Sequence, residues 1–271
     1  MMLNVSSISE YVYCPLKVYL RQSEGHDIQT PAMLRGRMVH EVRRGFEELL
    51  KRNLWSINEE MNAKTIFEIL MEDVAEFVDK TLLKYCEKES MDPKSAETIS
   101  RKLKDDFEVE SWLMAVKVWK IISNRPKSGS DIADMFFPPV LLEFTIENNE
   151  LNLRGKIDRI EIMDGYYYPV EVKSGLPPVK GVWKSDSLQI AAYALLMEEE
   201  FNREVSVGFI DYMGSCQRRP VFMEVNLREE VLNVLEEMRM MFHEGVVPEM
   251  VQNPKKCSKC EYSEICEYST N

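Results

Sequence analysis

The sequence predicts an α/β (α+β) fold in which a long helical block precedes a sheet. From about residue 57 to 89 and from 95 to 125, apolar residues such as Ile66 and Leu70 recur at the helical spacings of three and four. After the polar segment 125–131 the pattern changes to the alternation of half-buried strands. A chain of 271 residues, 45% of them hydrophobic, is long enough to bury a full core.

Local signals predict the individual elements. Residues 1–22 indicate a short helix entered through Ser6, Ser7 and Ser9, and residues 31–52 indicate a second helix with Pro31 in its first turn. The polar, cysteine-bearing tail that closes the chain has no periodicity. The remaining predictions are strands at 140–147, 150–162 and 166–173, a helix at 186–200, strands near 205–213 and 219–225, and a helix at 227–244.

The charge balance limits the class of function. A net charge of −12 argues against a protein that coats nucleic acid through bulk electrostatics, because phosphate contacts use many Lys and Arg side chains. It leaves room for a local basic groove, although a charge cluster taken alone is most simply a solvated face. The basic clusters are Arg35, Arg37, Arg43 and Arg44; Lys173, Lys180 and Lys184; and Lys255, Lys256 and Lys259.

No stretch of the sequence approaches the roughly 18 uninterrupted apolar residues that a membrane span needs. The first twenty residues also lack the basic-then-apolar order of a secretory signal. The expected localisation is therefore cytoplasmic, with no membrane partner.

The stretch GKIDRIEIMDGYYYPVEVKSG, residues 155–175, predicts a hairpin that carries chemistry. If Asp164 and Gly165 form a two-residue turn, paired positions sum to 329 and Asp158 faces Glu171. Like charges opposed about 5 Å apart at Cβ are destabilising unless something such as a cation offsets the repulsion. Lys173 lies two residues after Glu171 and therefore shares its face of the strand. The carboxylates are hard ligands that suit Mg²⁺ or Mn²⁺, and the lysine could orient an attacking water or stabilise charge on a phosphate. A solvated strand face with a Glu–Lys pair is the alternative.

Four motifs follow one another along the chain: Gly36-x3-His40 on a helix, Gly155-Lys-Ile-Asp158, Glu171-Val-Lys173 and Gln189-x3-Tyr193. In this order they resemble the motifs of the CRISPR-associated RecB-like exonuclease family, within the PD-(D/E)XK nuclease superfamily. The resemblance implies a restriction-endonuclease-like core, with a mixed central sheet flanked by helices. It also implies a metal held by His40, Asp158, Glu171 and the Val172 carbonyl, a catalytic role for Lys173, and a site shaped by Gln189 and Tyr193, which share one helix face.

The cysteines provide a separate signal. Cys257, Cys260 and Cys266 form C-x2-C-x5-C in the tail, and Cys14 lies far away in the sequence. Without a secretory signal, a metal or cluster is favoured over disulfides. The resemblance implies that these four cysteines hold an iron–sulfur cluster, 4Fe–4S first, with 2Fe–2S or zinc as alternatives. Such a cluster would act as a structural staple, whereas Cys86 and Cys216 are expected to be ordinary free cysteines.

The resemblance further implies a single RecB-like nuclease domain over 1–271, with a helical insertion at 53–139 and a cluster tail at 246–271 that packs with the N-terminus. The implied activity is exonuclease digestion of single-stranded DNA or overhangs, which trims DNA for spacer acquisition beside the CRISPR integrase. A repair or recombination nuclease and a non-catalytic scaffold remain alternatives. No G-x4-GK[ST] motif occurs, so no nucleotide cofactor is expected.

Basic and aromatic residues are the candidate DNA contacts. Arg35, Arg37, Lys180 and Lys184 are expected to touch backbone phosphates, which carry no base information. Aromatic side chains could stack on bases, with core packing as the alternative for each. The aromatic candidates are Tyr166, Tyr168 and Trp183.

Overall fold

The structure, a computed structural model, describes residues 2–24, 30–89, 91–125, 127, 129–137, 139–248, 253–258, 260–264 and 266. The chain divides into two compact units, one made of Met1–Gln29 and Val140–Asn271 and the other of Thr30–Pro139. The predicted insertion 53–139 falls inside the second unit, which begins earlier, at Thr30. Its status as an insertion in a single nuclease domain stays a prediction.

A mixed sheet forms the centre of the first unit and confirms the predicted fold class. The strands are β1 Leu3–Asn4, β2 Val140–Asn148, β3 Leu153–Met163, β4 Tyr166–Lys173, β5 Val207–Tyr212 and β6 Gln217–Phe222. Their order in the sheet is β1-β3-β4-β5-β6, and β2 also pairs with β3. The β1–β3 and β4–β5 pairs are parallel, and the other pairs are antiparallel.

Helices flank this sheet and form the second unit. Across the described residues, none of them combines the length and apolar composition needed to cross a membrane. The helices are α1 Val5–Tyr13, α2 Pro15–Glu24, α3 Pro31–Leu54, α4 Ala63–Leu70, α5 Val74–Glu89, α6 Pro93–Asn124, α7 Gly129–Phe136, α8 Lys184–Phe201, α9 Val225–His243 and α10 Pro254–Cys257.

Helix α8 is the central helix of the first unit. It connects the parallel strands β4 and β5, a connection that needs a crossover, and it is buried along most of its length. The helix lies close to the sheet, since a Cβ added at Gly208 would lie 2.6 Å from Cγ2 of Ile190. At the end of α8, Phe201 stacks on Tyr167 with ring centroids 4.2 Å apart. A helix buried in this way provides a rigid support for side chains at its start.

The second unit is helical, and three of its helices begin at side-chain caps. Thr30, Asn62 and Asp92 accept hydrogen bonds from the first-turn amides of α3, α4 and α6. In its core, Phe46 of α3 stacks on Phe107 of α6 with ring centroids 3.8 Å apart. Cap chemistry and apolar periodicity therefore explain why these segments are helical.

Three sequence predictions are wrong in detail. Residues 1–22 do not form one helix, because Cys14 is extended (φ −162°, ψ 108°) and the chain starts a new helix at Pro15. The predicted helix 57–89 is divided between α4 and α5, where Asp73 has a φ of 64°. The segment 125–131 is not all loop, because α7 begins at Gly129, which packs against the end of α3.

Candidate active site

The β3–β4 hairpin has the predicted turn and register. Asp164 and Gly165 both have positive φ, 52° and 79°, as a two-residue primed turn requires. The ladder runs from Met163–Tyr166 to Arg159–Val170, so every one of its pairs sums to 329. The predicted register is therefore confirmed, and the ladder ends one pair before Asp158–Glu171.

At Asp158 the sheet opens on both sides of β3. Toward β4, the Val172 amide donates a hydrogen bond of 2.9 Å to Oδ2 of Asp158. Toward β2, the ladder keeps one register from Leu142–Arg159 to Phe144–Ile157, but the pair between them, Glu143 with Asp158, is missing, and Glu143 has a φ of 50°. A bulge would insert an extra residue, whereas here the pairing is interrupted without a change of register. Asp158 is consequently bonded to the backbone of β4, and the expectation of a directly opposed ladder pair with Glu171 is corrected.

Both carboxylates nevertheless line one pocket of about 430 Å³ in the first unit. Glu171 is buried, and Nζ of Lys173 lies 3.0 Å from its Oε1, so the two side chains share a face as predicted. Nζ of Lys173 also donates to Oε1 of Gln189 at 2.7 Å. The pocket thus brings two acidic groups together, and hydrogen bonds to Glu171 and Gln189, which both line it, orient the ammonium of Lys173.

The first half of α8 supplies the wall of this pocket. Nε2 of Gln189 donates to the Tyr193 hydroxyl at 3.1 Å, and that hydroxyl donates to the carbonyl of Lys156 at 3.0 Å. A Cβ at Gly155 would lie 2.8 Å from the Tyr193 ring, so the glycine permits this close approach. The Ser9 hydroxyl adds a 2.9 Å bond to Oε1 of Gln189. Gln189 and Tyr193 therefore connect α8 to β3 and to Lys173.

Two further residues belong to the site although the sequence analysis did not single them out. Asp186 is buried, with Oδ1 4.0 Å from Nζ of Lys173, and its Oδ2 accepts a 2.6 Å bond from the Tyr212 hydroxyl. Asp186 lies three residues before Gln189, so helical spacing could have placed it on the same face. Tyr212 ends β5, and nothing in its local sequence marks it.

Burial and neighbouring charges set the ionisation of these groups. Burial raises the pKa of Asp158 above its usual value, against the opposite effects of the Val172 amide and Lys173. Burial alone would lower the pKa of Lys173, but the Glu171 and Asp186 carboxylates outweigh it, so the pKa is raised and the ammonium stays charged. Burial, followed by the charge of Glu171, raises the pKa of Tyr193, which keeps its hydroxyl a neutral donor.

The four predicted phosphate contacts are surface residues, two in each unit. In the second unit, Arg35 is exposed and Arg37 pairs with Glu89 at 3.3 Å. In the first unit, Lys180 is exposed and Lys184 pairs with Glu230. Their roles as phosphate contacts stay predictions.

The aromatic candidates differ in exposure. Tyr166 and Trp183 are more than half exposed, and Nε1 of Trp183 donates to the carbonyl of Leu176 at 2.9 Å. Tyr168 is half-buried, with its ring centroid 6.2 Å from that of Phe209. Packing therefore occupies Tyr168, and stacking on bases stays a prediction for the other two.

The cysteine-bearing tail contacts the segment around Cys14. Lys17 forms a 2.7 Å ion pair with Glu261, and Nζ of Lys256 donates to the Tyr13 carbonyl at 3.0 Å. Lys256 also lies 4.4 Å from the centroid of the Tyr13 ring. Burial raises the pKa of Cys260, and the charges of Glu261 and Cys14 act in the same direction. Among the described residues, no three of the predicted cluster ligands are gathered closely enough to hold a metal ion, so their joint role stays a prediction. All four are half-buried thiols: Cys14, Cys257, Cys260 and Cys266.

The family model of the PD-(D/E)XK nuclease superfamily matches residues 2–267 of this chain. The chain belongs to the PD-(D/E)XK nuclease superfamily. The motif residues on β3, β4 and α8 therefore lie within the matched region, together with the cysteines of the tail.

Curated relatives of this PD-(D/E)XK protein include CRISPR-associated exonucleases. A CRISPR-associated exonuclease Cas4/endonuclease Cas1 fusion of Leptospira interrogans is 31% identical over 127 residues, which are 45% of this chain and 24% of the relative. A CRISPR-associated exonuclease Cas4 of Thermoproteus tenax is 27% identical over 126 residues, 46% of this chain and 65% of the relative. A DNA replication ATP-dependent helicase/nuclease of Arabidopsis thaliana is 25% identical over 105 residues, 36% of this chain and 8% of the relative. The chain thus spans less than two thirds of each.

PD-(D/E)XK nucleases use divalent metals, and the donor set of the pocket fits one. The Asp158 and Glu171 carboxylates are hard oxygen donors, which Mg²⁺ and Mn²⁺ prefer, and the role of the Val172 carbonyl as a ligand stays a prediction. In the part of the chain that the structure describes, no three His, Cys, Asp or Glu side chains are gathered closely enough to hold a metal ion. A site here would accordingly depend on the backbone carbonyl and on water. His40 lies half-buried on α3, in the second unit, and its role as a ligand stays a prediction.

Replacing Tyr212 with Phe tests whether Asp186 depends on its hydroxyl partner. Tyr212→Phe leaves a buried carboxylate oxygen without its donor, so we expect the free energy of unfolding to fall by about 1.5–3 kcal/mol in urea denaturation. Tyr166→Phe, at a tyrosine that is 55% exposed, is the matched control and should change it by less than about 0.5 kcal/mol. Equal effects of the two substitutions would contradict this account of the site.

Proposed function

We propose that this chain is a divalent-metal-dependent deoxyribonuclease that trims single-stranded DNA or single-stranded overhangs as an exonuclease. The observation that carries the proposal is the shared pocket of Asp158 and Glu171, with the ammonium of Lys173 at 3.0 Å from Glu171. Membership of a nuclease superfamily supports the reaction class, and the names of the relatives support cleavage as an exonuclease.

The proposed mechanism assigns a separate task to each group. Asp158, Glu171 and the Val172 carbonyl would hold a Mg²⁺ or Mn²⁺ ion, with His40 as the further predicted ligand, and the ion supplies Lewis-acid stabilisation and a more acidic bound water. Lys173 places its positive charge beside the pocket, where it stabilises negative charge that develops on a phosphate or orients the attacking water.

The remaining site residues keep Lys173 in position. Gln189 accepts from its ammonium at 2.7 Å, and Tyr193 fixes the Gln189 amide through a 3.1 Å bond. Asp186, which accepts a hydrogen bond from Tyr212, lies 4.0 Å from the ammonium. Because α8 is buried against the sheet, these groups start from a rigid arrangement, which is what positioning of reactants requires.

Basic side chains around the pocket suit a nucleic-acid backbone. Arg154 and Lys156 line the pocket, and Lys180 and Lys184 precede or begin α8. With the predicted contacts Arg35 and Arg37 of the second unit, they would bind phosphates, so affinity for DNA should fall as salt rises. Binding through a few such side chains is compatible with the acidic net charge of −12, which argues only against coating of nucleic acid through bulk electrostatics.

The proposed biological role is trimming of DNA for spacer acquisition, in association with a CRISPR integrase. Relatives in which the exonuclease is named together with an endonuclease Cas1 in one chain support this association. The similarity to a helicase/nuclease of DNA replication favours a second candidate, a repair or replication nuclease with the same chemistry. The genes that neighbour this one would distinguish the two roles.

We also propose that Cys14, Cys257, Cys260 and Cys266 hold an iron–sulfur cluster that acts as a staple. The Lys17–Glu261 and Lys256–Tyr13 contacts, which place the tail beside the Cys14 segment, support this proposal. A bound cluster would contribute folding free energy, because the unfolded chain lacks a preformed site.

The catalytic proposal predicts that Glu171→Gln abolishes cleavage without unfolding the protein. We expect Mn²⁺-dependent cleavage of end-labelled single-stranded DNA by anaerobically purified protein to fall by at least about 100-fold, because the change removes a charged donor with little change in shape. Glu199→Gln, the same change at an exposed position late in α8, is the matched control and should cleave like the wild type.

Circular dichroism should show the same fold for all three proteins. If the folded wild type, loaded with cluster and supplied with Mn²⁺, cleaves no end or overhang, the scaffold alternative replaces the nuclease proposal. If Glu171→Gln cleaves as fast as Glu199→Gln, the assignment of Glu171 is wrong.

The cluster proposal predicts a selective effect of cysteine substitutions. Cys257→Ser should remove most of the bound iron and the brown absorbance and lower the melting temperature, because one of four ligands is lost. Cys216→Ser, at an exposed cysteine outside the tail, should keep the iron content and melting temperature of the wild type. Zinc instead of iron in the wild type would contradict the cluster, and an unchanged melting temperature in Cys257→Ser would contradict the staple.

A further inference from the structure

Four charged side chains form a closed ion-pair network on one face of the sheet in the first unit. Nη2 of Arg159 lies 2.5 Å from Oδ2 of Asp211, and Nε of Arg159 lies 3.2 Å from Oε1 of Glu161. Arg218 donates two hydrogen bonds to Glu161, at 2.9 and 2.8 Å, and two to Asp211, at 2.8 and 2.9 Å. Each guanidinium therefore contacts both carboxylates, and the charges of the network balance.

The network lies on the face of β4 opposite to the pocket residue Glu171. Arg159 is the register partner of Val170, and on the other side of β4 Asp211 is the register partner of Val172. Because partners in a ladder share a face and successive residues alternate, Arg159 and Asp211 share one face and Glu171 points to the other. Strand β4 lies between β3 and β5 in the sheet, so the contact between Arg159 and Asp211 crosses over β4.

This contact is located where the β3–β4 ladder ends. Arg159–Val170 is the last pair of that ladder. One residue earlier on β3, Asp158 accepts the hydrogen bond of the Val172 amide. The partner of Val172 on β5 is Asp211, the residue that the Arg159 side chain reaches. The ion pair thus connects β3 to β5 at the point where backbone pairing between β3 and β4 stops.

Burial makes this network a costly way to stabilise a fold. The side chains of Arg159 and Glu161 are only 12% and 8% exposed. Charges taken out of water lose free energy that ion pairing often does not recover, so apolar side chains of similar size stabilise a fold at least as well. A guanidinium fork, in contrast, fixes direction and distance toward its carboxylate partners. The network is therefore better suited to set the positions of strands than to add stability.

We propose that Arg159 and Asp211 are positioning residues of the cation site and act through Asp158. By holding β3 and β5 together across β4, they keep the Asp158 carboxylate within reach of the Val172 amide. Asp158 then lines the same pocket as Glu171, as binding of one cation by both carboxylates requires. The consequence for metal binding rests on the proposed function, whereas the effect on the hydrogen bond of the Val172 amide does not.

A double substitution that removes one charge of each sign tests this inference. Arg159→Met with Asp211→Leu removes the contact across β4, while Arg218 and Glu161 keep their two mutual hydrogen bonds. In the metal-free protein, amide hydrogen exchange at Val172, measured by nuclear magnetic resonance, should become at least about tenfold faster, because the acceptor of this amide is no longer held in place. The Mn²⁺ dissociation constant, measured by electron paramagnetic resonance, should rise at least about tenfold. The midpoint of urea unfolding should not fall.

A second ion pair of the first unit provides the matched control. Glu198 and Arg228, with side chains 22% and 23% exposed, join the C-terminal part of α8 to the start of α9. Glu198→Leu with Arg228→Met should leave Val172 exchange and Mn²⁺ binding as in the wild type. Arg159→Lys, which keeps the charge but loses the fork, should raise the Mn²⁺ dissociation constant at least about threefold without a change in the urea midpoint.

Unchanged Val172 exchange or unchanged Mn²⁺ affinity in the Arg159–Asp211 double variant would overturn the inference, and so would equal effects in the Glu198–Arg228 control. If the double variant unfolds more easily than the wild type, Arg159→Lys decides: wild-type exchange and Mn²⁺ affinity in this variant contradict the inference, and weaker binding supports it. A wild type that binds no Mn²⁺ would contradict the proposed function. The exchange rate of Val172 would then decide the inference by itself.

Discussion

The hydrogen bond from the Val172 amide to the Asp158 carboxylate is the interaction on which the site depends. It forms where the β3–β4 ladder ends, one pair beyond Arg159–Val170. The side chain of Asp158 thereby takes the place of a backbone acceptor. It keeps the two strands connected beyond the last pair of the ladder. Pairing is also interrupted on the β2 side, at Glu143, and the Asp158 side chain lines the pocket. Two acidic groups can share this buried space because Lys173 lies against Glu171.

The position of Lys173 in turn depends on α8 and β5. Its ammonium contacts Glu171, Gln189 and, at 4.0 Å, Asp186, and this environment raises its pKa despite burial. Asp186 is oriented by the Tyr212 hydroxyl at 2.6 Å. Most of α8 is buried, and the groups that surround the lysine lie on this helix or on a strand of the sheet. A site supported by helices and strands keeps its geometry better than one built on loops.

Some features of the site could be predicted from the sequence alone. Asp164 and Gly165 require one kind of turn, so the hairpin register and the common face of Glu171 and Lys173 could be predicted. The four-residue spacing of Gln189 and Tyr193 likewise predicted a common helix face, which their hydrogen bond confirms.

Other features depend on tertiary contacts that leave no local pattern. Strand β1 is only two residues long, too short for a strand pattern in the sequence, and it pairs with β3. The positive φ of Asp73 and of Glu143 occurs at residues that are not glycine, so no turn signal marked the end of α4 or the opening beside Asp158. Tyr212 reaches the site from β5, far from the motifs in sequence. The contacts of the tail with the Cys14 segment were expected only from the resemblance to a known family.

The central claim is that Asp158 and Glu171 form one cation site. A titration with Mn²⁺, in which electron paramagnetic resonance measures binding, tests this claim most directly. The account predicts that the wild type binds Mn²⁺ and that Asp158→Asn weakens the affinity at least about tenfold, with Glu199→Gln as the matched control that binds like the wild type. Identical Mn²⁺ binding curves for the wild type and Asp158→Asn would contradict the claim.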